Sequence, residues 1–296
     1  MRPPVDVVVP FVGSDEALRS QCHALEGLDL SDADSVTVVD NRPQGTGTET
    51  AYGRVRVLSA PAIQSSYYAR NCGARAGTAP WIVFLDADVR VSADLLARYF
   101  DQPPADRTGV LAGSIGNEPV ASGGGQTIVA RYSALKELFA QERTLDRGEL
   151  GYAMTANCVI RREAFAEVDG FIETIRSGGD ADICFRIRAK GWDMEARDRA
   201  VVTHVNRETL SQLVRQSMRH GSGAAWLETM YPRFSQAGDV PGRTTRTSRR
   251  LIRATVQMAK GNLDDALVVT IDVVRRLAFQ AGRHISNDAT TSGPGR

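Results

Sequence analysis

Two carboxylates directly follow a short apolar run in the sequence. The run is Trp81–Leu85, and Asp86 and Asp88 come next with Ala87 between them. Carboxylate oxygens suit a hard divalent cation, which can also bridge the oxygens of a diphosphate. An aspartate in a turn can instead hydrogen-bond nearby backbone groups, and that interpretation needs no ligand. Because the pair ends a predicted buried strand, we favour a site for Mn²⁺ or Mg²⁺.

The elements that must position these carboxylates alternate between strands and helices. Short apolar or β-branched runs predict buried strands, and apolar residues at helical spacing predict helices between them. The strands are predicted at Val5–Pro10, Ser35–Val39, Val55–Leu58 and Trp81–Leu85, and the helices at Asp15–Leu28 and Tyr67–Ala76. This alternation indicates an α/β fold with a mostly parallel central sheet flanked by helices.

Polar or turn-forming segments follow three of these strands. They are Pro10-Phe11-Val12, Asp40-Asn41 and Asp86-Ala87-Asp88. Ligands of such sheets bind beyond the carboxyl ends of the strands. We therefore expect the three segments to converge on one binding crevice.

The rest of the chain is mostly helical in pattern. A strand is predicted at Asn157–Ile160, and helices at Ala130–Arg143, Arg162–Val168, Asp180–Lys190 and from Leu210 to Gly282, with an interruption that begins around Tyr231. Asp180 and Asp182 lie in the first turn of their helix, where an acidic residue stabilises the helix. Residues 285–296 are predicted to be disordered because they are polar and small.

Composition excludes several classes of protein. The 296 residues include 42% apolar residues and carry a net charge of +1, which is typical of a globular protein and gives no sign of nucleic-acid binding. The four cysteines form no CxxC pair, which disfavours a zinc site or a disulfide framework. Neither a G-x-G-x-x-G motif after the first strand nor a P-loop motif occurs, which excludes dinucleotide enzymes and P-loop nucleotidases. No apolar stretch is long enough to span a bilayer, so we expect a cytoplasmic protein, with peripheral contact to the inner face of the membrane as an alternative.

Five segments, in this order, resemble the family-two group of inverting glycosyltransferases, which have the GT-A fold. They are Val7-Val8-Val9-Pro10, Val38-Val39-Asp40-Asn41, Ala69-Arg70-Asn71-Cys72-Gly73, Phe84-Leu85-Asp86-Ala87-Asp88 and Gly178-Gly179-Asp180-Ala181-Asp182. The resemblance covers about the first 210 residues. Each segment is a weak signal alone, but five in register leave little room for an accidental match.

The resemblance implies which residues hold a nucleotide-sugar donor. The donor-binding residues would be Pro10, Phe11 and Val12 beside the base, Asp40 at the edge of the base, Arg70 and Asn71 near the nucleotide, and Asp86 and Ala87 near the ribose. Asp88 would ligate the metal, and His204 resembles the histidine that completes the metal site in many relatives. A single histidine taken alone is more often structural. Arg219 resembles the arginine of a Gln-x-x-Arg-Trp element and would reach the diphosphate.

The resemblance also implies that Asp180 is the general base that takes the proton of the attacking hydroxyl. The family usually has Glu-Asp where this chain has Gly179-Asp180. This departure concerns a supporting contact rather than the base itself. Asn157 and Asp182 are candidate contacts for the acceptor.

These expectations describe a metal-dependent inverting glycosyltransferase. It would move a sugar, with a UDP-sugar favoured, onto an acceptor hydroxyl in the synthesis of a polysaccharide, a glycolipid or a natural product. The alternative is an inactive protein of the same fold that binds a nucleotide sugar or a partner protein.

The domain organisation follows from the same reasoning. We expect a catalytic domain at residues 1–235, with a nucleotide-binding half at 1–115 and an acceptor-binding half at 116–235. A helical region at 243–284 would pack on the catalytic domain, form a homodimer or contact the membrane. The five arginines between Arg243 and Arg253 either face solvent or contact anionic lipid.

Overall fold

The computed structural model describes residues 2–45, 50–118, 127–136, 141–236 and 263–291. The chain divides into two compact units. The first comprises Met1–Gly116, Phe139–Val205 and Asp288–Arg296, and the second comprises Asn117–Leu138 and Asn206–Asn287. With the exception of Arg219, every candidate site residue lies in the first unit.

The first unit is built on a nine-stranded mixed sheet. Its strands are β1 (Val5–Phe11), β2 (Ser35–Asp40), β3 (Thr50–Tyr52), β4 (Val55–Ser59), β6 (Trp81–Leu85), β7 (Val89–Arg90), β8 (Thr108–Asn117), β9 (Asn157–Arg161) and β10 (Asp193–His204). They lie in the order β3-β4-β2-β1-β6-β9-β8-β10-β7. The four strands β4, β2, β1 and β6 are parallel, whereas β9 is antiparallel to both β6 and β8. The predicted α/β class with a large central sheet is confirmed.

Helices accompany the sheet and make up most of the second unit. The described α-helices are α1 (Asp15–Leu25), α2 (Ser66–Arg75), α3 (Leu95–Tyr99), α4 (Ile128–Lys136), α5 (Glu142–Leu145), α6 (Arg162–Ala166), α7 (Gly179–Ala189), α8 (Leu210–Met230) and α9 (Leu263–Gly282). Those of the second unit are α4, α8 and α9, and a small apolar cluster joins them through Tyr132, Leu213 and Ile271. None of the described helices is long and apolar enough to cross a membrane.

Close packing of α2 on the sheet positions part of the candidate site. At Gly73 a Cβ atom would lie 2.4 Å from Cγ1 of Val8, so a larger residue does not fit there. The strands beneath are buried along nearly their whole length, as expected for parallel strands covered on both faces. Arg70 lies one turn before Gly73 on α2 and thereby comes within reach of Asp86, which follows β6.

The sequence analysis did not predict one long strand, β8. β8 contains Gly109, Gly113 and Gly116, and glycine disfavours strands when only local preference is considered. Its glycines fill places where the sheet meets other side chains. A Cβ at Gly109 would lie 2.8 Å from Cβ of Trp192, and one at Gly113 would lie 2.3 Å from Nδ2 of Asn157.

Several predicted boundaries differ from the structure. The helix predicted at Ala130–Arg143 is α4, which spans Ile128–Lys136, with residues 137–140 outside the described part of the chain. The predicted helix before Leu263 and the arginine cluster also lie outside the described residues. In the segment predicted to be disordered, Thr290–Thr291 form strand β11, which pairs with β5 (Ile63–Gln64). The antiparallel backbone hydrogen bonds of this pair are a tertiary contact that polarity alone does not reveal.

Candidate active site

A buried arginine lies between two carboxylates at the carboxyl-terminal edge of the parallel strands. Arg70 donates a short hydrogen bond from Nη2 to Oδ1 of Asp86. Its guanidinium also lies over the ring of Tyr67, with Cζ 5.6 Å from the ring centroid. Burial lowers the pKa of Arg70, but Asp86 and then Asp180 more than offset this and hold it raised. A permanent positive charge therefore faces both aspartates.

Asp180 opens α7 on a backbone that requires glycine. Gly178 has φ of 91°, in the left-handed region, and a Cβ at Gly179 would lie 2.7 Å from the ring of Tyr67. The carboxylate of Asp180 is partly exposed and accepts a hydrogen bond from Thr155 Oγ1 at 2.9 Å. Burial raises the pKa of Asp180, and Asp86 raises it further, whereas Arg70 and Thr155 lower it. A carboxylate with a raised pKa and partial access to solvent is suited to accept a proton.

Asp88, two residues after Asp86 along the chain, meets His204 where β7 and β10 pair. His204 lies opposite Val89 in this antiparallel pair, and its Nε2 is 3.4 Å from Oδ2 of Asp88. Nδ1 of His204 is 2.8 Å from the carbonyl oxygen of Val205. Because a carbonyl only accepts, Nδ1 carries a proton, and in the neutral ring the lone pair is on Nε2, toward Asp88.

This arrangement fits two of the ligands of a divalent cation. An imidazole nitrogen and a carboxylate oxygen that face each other suit Mn²⁺ or Mg²⁺ when a diphosphate supplies further oxygens. Within the described parts of the chain, no three His, Cys, Asp or Glu side chains are grouped closely enough to hold a metal by themselves. Asp88 and His204 are thus the described side chains that could contribute to a cation site.

Asp40 is occupied by a residue that the sequence analysis did not single out. Arg42 donates from Nε to Oδ1 of Asp40 at 2.8 Å and from Nη2 to Oδ2 at 2.7 Å, and Asp40 is completely buried. Nη1 of Arg42 also binds Asp15 at 2.6 Å. A base can therefore reach the Asp40 carboxylate only if Arg42 moves. The position of Arg42 in the sequence, two residues after the aspartate that ends β2, could have indicated this ion pair.

The apolar segment at the end of β1 has two different environments. Phe11 is buried and belongs to the core cluster, whereas Val12 is 69% exposed. Pro10 lies between these extremes, as does Ala87, which packs against the same cluster. Val12 is thus the member of this segment that remains accessible to a ligand.

Three residues predicted to contact ligands make hydrogen bonds within the protein. Asn71 is buried, and its Nδ2 donates to the carbonyl oxygen of Phe171 at 2.8 Å. The backbone N–H of Phe171 donates in return to Oδ1 of Asn71 at 2.9 Å. Asp182 is 1% exposed and binds Arg186, with Oδ2 2.6 Å from Nη2. Both side chains are thus bound inside the protein in this structure. The placement of Asn71 near the nucleotide and of Asp182 near the acceptor stays a prediction.

Asn157 is the third of these residues. It is completely buried, and its Nδ2 donates to the carbonyl oxygens of Ser114 and Ala200, each at 2.8 Å. Its Oδ1 accepts from the hydroxyl of Tyr99 at 2.7 Å. Asn157 therefore links β8, β9 and β10, and its predicted contact with the acceptor stays a prediction.

Replacing Asn157 with alanine is expected to destabilise the fold and to leave substrate affinity unchanged. The substitution removes the hydrogen bonds that Asn157 makes with two carbonyls and one hydroxyl, and a buried polar group left unpaired costs about 1–3 kcal/mol. Thermal denaturation should show a clearly lower Tm, while KM for donor and acceptor stays near the wild-type value. An increased acceptor KM at unchanged Tm would support the predicted contact of Asn157 with the acceptor.

Arg219 lies on α8, in the second unit, and is exposed. Its predicted contact with the diphosphate remains a prediction. Thr155, by contrast, belongs to the site but carries no motif, and no pattern in the sequence distinguishes it from a core threonine.

A cavity elsewhere in the first unit does not coincide with these groups. It has a volume of about 410 Å³ and lies at the amino-terminal ends of β1 and β2, lined in part by Asp6, Ser35 and Arg56. The carboxylate of Asp6 is already bound by Arg162 at 2.6 Å and by the backbone of Ala79 at 2.7 Å. The chemistry-bearing residues are instead at the carboxyl ends of the strands, where ligands of α/β sheets bind.

Comparisons with known proteins show the family to which the chain belongs. The model of the glycosyltransferase like family 2 matches residues 3–223. The pre-mycofactocin glycosyltransferases of two strains of Mycobacterium tuberculosis are 30% identical to this chain over 239 residues, which cover 77% of this chain and 48% of theirs. Glycosyltransferase AglE of Haloferax volcanii is 27% identical over 229 residues, which cover 75% of this chain and 73% of AglE. The chain thus spans about half the length of the mycobacterial relatives.

A solved structure supports the fold independently. Mannosyltransferase PcManGT from Pyrobaculum calidifontis, in complex with GDP-Man and Mn²⁺, aligns with a TM-score of 0.54 at 15% identity. The alignment covers 94% of this chain and 88% of that protein. At this identity the similarity establishes the fold, which is GT-A as the motifs predicted. Together with the family match over residues 3–223, this places the chain in the glycosyltransferase like family 2.

Proposed function

We propose that this protein is a metal-dependent inverting glycosyltransferase that moves a sugar from a nucleoside diphosphate sugar onto an acceptor hydroxyl. The observation that carries the proposal is the placement of Arg70 beside Asp86 and Asp180, with Asp88, just before β7, facing His204 at the end of β10. Membership of the family supports it.

The proposed donor site lies around Asp86, Asp88 and Arg70. Nε of Arg70 is buried and has no hydrogen-bond partner among the described residues, so an acceptor group on the donor would satisfy it. Asp88 and His204 would hold a divalent cation together with the diphosphate. A cation bound there would neutralise the negative charge that builds up on the leaving nucleoside diphosphate.

Asp180 is the proposed general base. As the acceptor oxygen forms its bond to the anomeric carbon, the hydroxyl proton passes to a carboxylate oxygen of Asp180. The bond from that carbon to the diphosphate oxygen breaks, and its electron pair leaves with the diphosphate. Attack opposite the leaving group inverts the anomeric configuration.

A UDP-sugar is the first donor to test, and a GDP-sugar is the second. UDP is common in the group that the motifs resemble, whereas the structural relative PcManGT was solved with GDP-Man. The acceptor is proposed to be a carbohydrate, a lipid-linked sugar or a small molecule. The name of the mycobacterial relatives indicates pre-mycofactocin as their acceptor, and the name of AglE specifies none. A cytoplasmic location at the inner face of the membrane remains part of this proposal.

The test is a transfer assay with defined stereochemistry. Purified protein is incubated with UDP- or GDP-hexoses in Mn²⁺ or in EDTA, and products are followed by NMR. We expect sugar transfer, or slow hydrolysis of the donor, that requires the cation. The product should have the inverted anomeric configuration. A retained configuration would disprove the mechanism. Donor binding without any turnover would favour the alternative, an inactive nucleotide-sugar-binding protein.

A further inference from the structure

Thr155 holds both oxygens of the proposed catalytic carboxylate. Its hydroxyl donates to Oδ1 of Asp180 at 2.9 Å, and its backbone N–H makes a longer contact to Oδ2 at 3.4 Å. Thr155 is 2% exposed and lies just before β9, so solvent does not compete for its hydroxyl. Two donors on one rigid residue define the plane in which the carboxylate lies.

Within the described residues, Thr155 supplies every hydrogen bond that the Asp180 side chain accepts. The other groups that act on Asp180 do so through charge. The positive charge of Arg70 on α2 stabilises the ionised carboxylate and lowers the pKa of Asp180, whereas the negative charge of Asp86 after β6 raises it. The short hydrogen bond of Arg70 goes to Asp86, so orientation of Asp180 does not come from the arginine.

The remaining titratable neighbours are neutral. Burial raises the pKa of Tyr152 to about 12, and burial raises the pKa of Cys184 to about 12. Burial also raises the pKa of Cys158 well above its usual value. None of these three carries a charge near neutral pH, so none replaces the contribution of Thr155.

We propose that Thr155 is a positioning residue that orients the Asp180 carboxylate and favours its ionised form for proton transfer from the acceptor hydroxyl. This inference rests on the proposed function, in which Asp180 is the general base. A hydrogen bond to a carboxylate stabilises the charged form more than the protonated one. The same bond prevents rotation of the carboxylate away from the acceptor, because rotation would leave the buried hydroxyl without its partner.

The test replaces Thr155 with valine, which keeps the shape and the backbone N–H but lacks the hydroxyl. Loss of the hydrogen bond raises the pKa of Asp180, so a higher pH is needed to ionise it. We expect the acidic limb of the profile of kcat against pH to move up by about one pH unit. The donor KM should stay near the wild-type value. Donor and Mn²⁺ are kept saturating at each pH.

Two variants serve as controls. Thr155→Ser retains the hydroxyl, so the acidic limb of its pH profile should lie at the wild-type pH. Thr144→Val removes a buried threonine hydroxyl that donates to the carbonyl oxygen of Gln141 at 2.8 Å, outside the proposed site. Thr144→Val should lower Tm about as much as Thr155→Val does, without moving the acidic limb of the pH profile. A merely structural role for Thr155 would make Thr155→Val behave like Thr144→Val.

Asp180→Asn, assayed in parallel, separates this inference from the proposed function. If Asp180→Asn is nearly inactive and Thr155→Val has an unchanged acidic limb, the role of Thr155 is disproved while the base assignment stands. If Asp180→Asn transfers sugar at the wild-type rate, the proposed function itself fails. A shifted limb in Thr155→Val that serine reverses supports both.

Discussion

Asp180→Asn is expected to lower sugar transfer at least ~10²-fold while the fold and donor binding stay nearly intact. Asparagine has the same shape and can still accept the hydrogen bond of Thr155 at Oδ1. It has no basic oxygen that can take the acceptor proton. Steady-state transfer kinetics, calorimetric donor binding and thermal denaturation measure the three quantities separately.

Asp182→Asn is the matched control because it changes the same residue type in the same turn of α7. The two side chains point about 200° apart on the helix. Asp182 binds Arg186, whose guanidinium also donates to the carbonyl oxygens of Val168 at 2.5 Å and Gly170 at 2.9 Å. Removing the charge should therefore lower Tm by several degrees and leave the rate per folded molecule near wild type. Wild-type transfer by Asp180→Asn, or a ~10²-fold loss in a stable Asp182→Asn, would contradict the assignment.

Asp88→Ala is expected to abolish the metal dependence of diphosphate binding. In the wild type, Asp88 and the diphosphate are like charges unless a divalent cation lies between them. UDP or GDP should therefore bind the wild type at least ~10-fold more tightly in Mn²⁺ than in EDTA, the low end for disturbing a metal site. In Asp88→Ala the two affinities should be nearly equal. Isothermal titration calorimetry with UDP and GDP measures both.

Asp94→Ala is a suitable control for the cation experiment. Asp94 is a nearby aspartate that binds Arg98 and Ser92 at the start of α3, away from His204. Its removal should leave the difference between Mn²⁺ and EDTA unchanged. If the wild type binds UDP and GDP with equal affinity in Mn²⁺ and in EDTA, the assignment of Asp88 and His204 as metal ligands is wrong.

The sequence by itself determined the parallel half of the sheet and the residues that end its strands. Strands buried on both faces are apolar along nearly their whole length, so β1, β2 and β6 could be predicted from short runs of apolar residues. The chain after each run must leave the sheet at the edge where ligands bind. The helix α7 was predicted because Ile183 and Ile187 follow Gly178-Gly179 at helical spacing.

Only the tertiary structure decided which polar side chains face a ligand. Asn71 lies in a family motif, yet its partner is Phe171, 100 residues away. Asp40 ends its strand as predicted, yet Arg42 covers it. A polar residue in a motif and a polar residue in the core have the same local pattern, and burial requires each to find a partner wherever the fold supplies one.

Thr155 and β8 are features of the structure that the sequence analysis did not predict. The role proposed for Thr155 depends on α7, which brings Oδ1 of Asp180 to 2.9 Å from the Thr155 hydroxyl. The glycines of β8 weaken the local strand pattern, and their value lies in close contact with Trp192 and Asn157. Such contacts join residues far apart in the chain, so no window of sequence contains both partners. The sequence therefore specifies where the strands end, and packing between distant segments specifies which of the residues there are left to act.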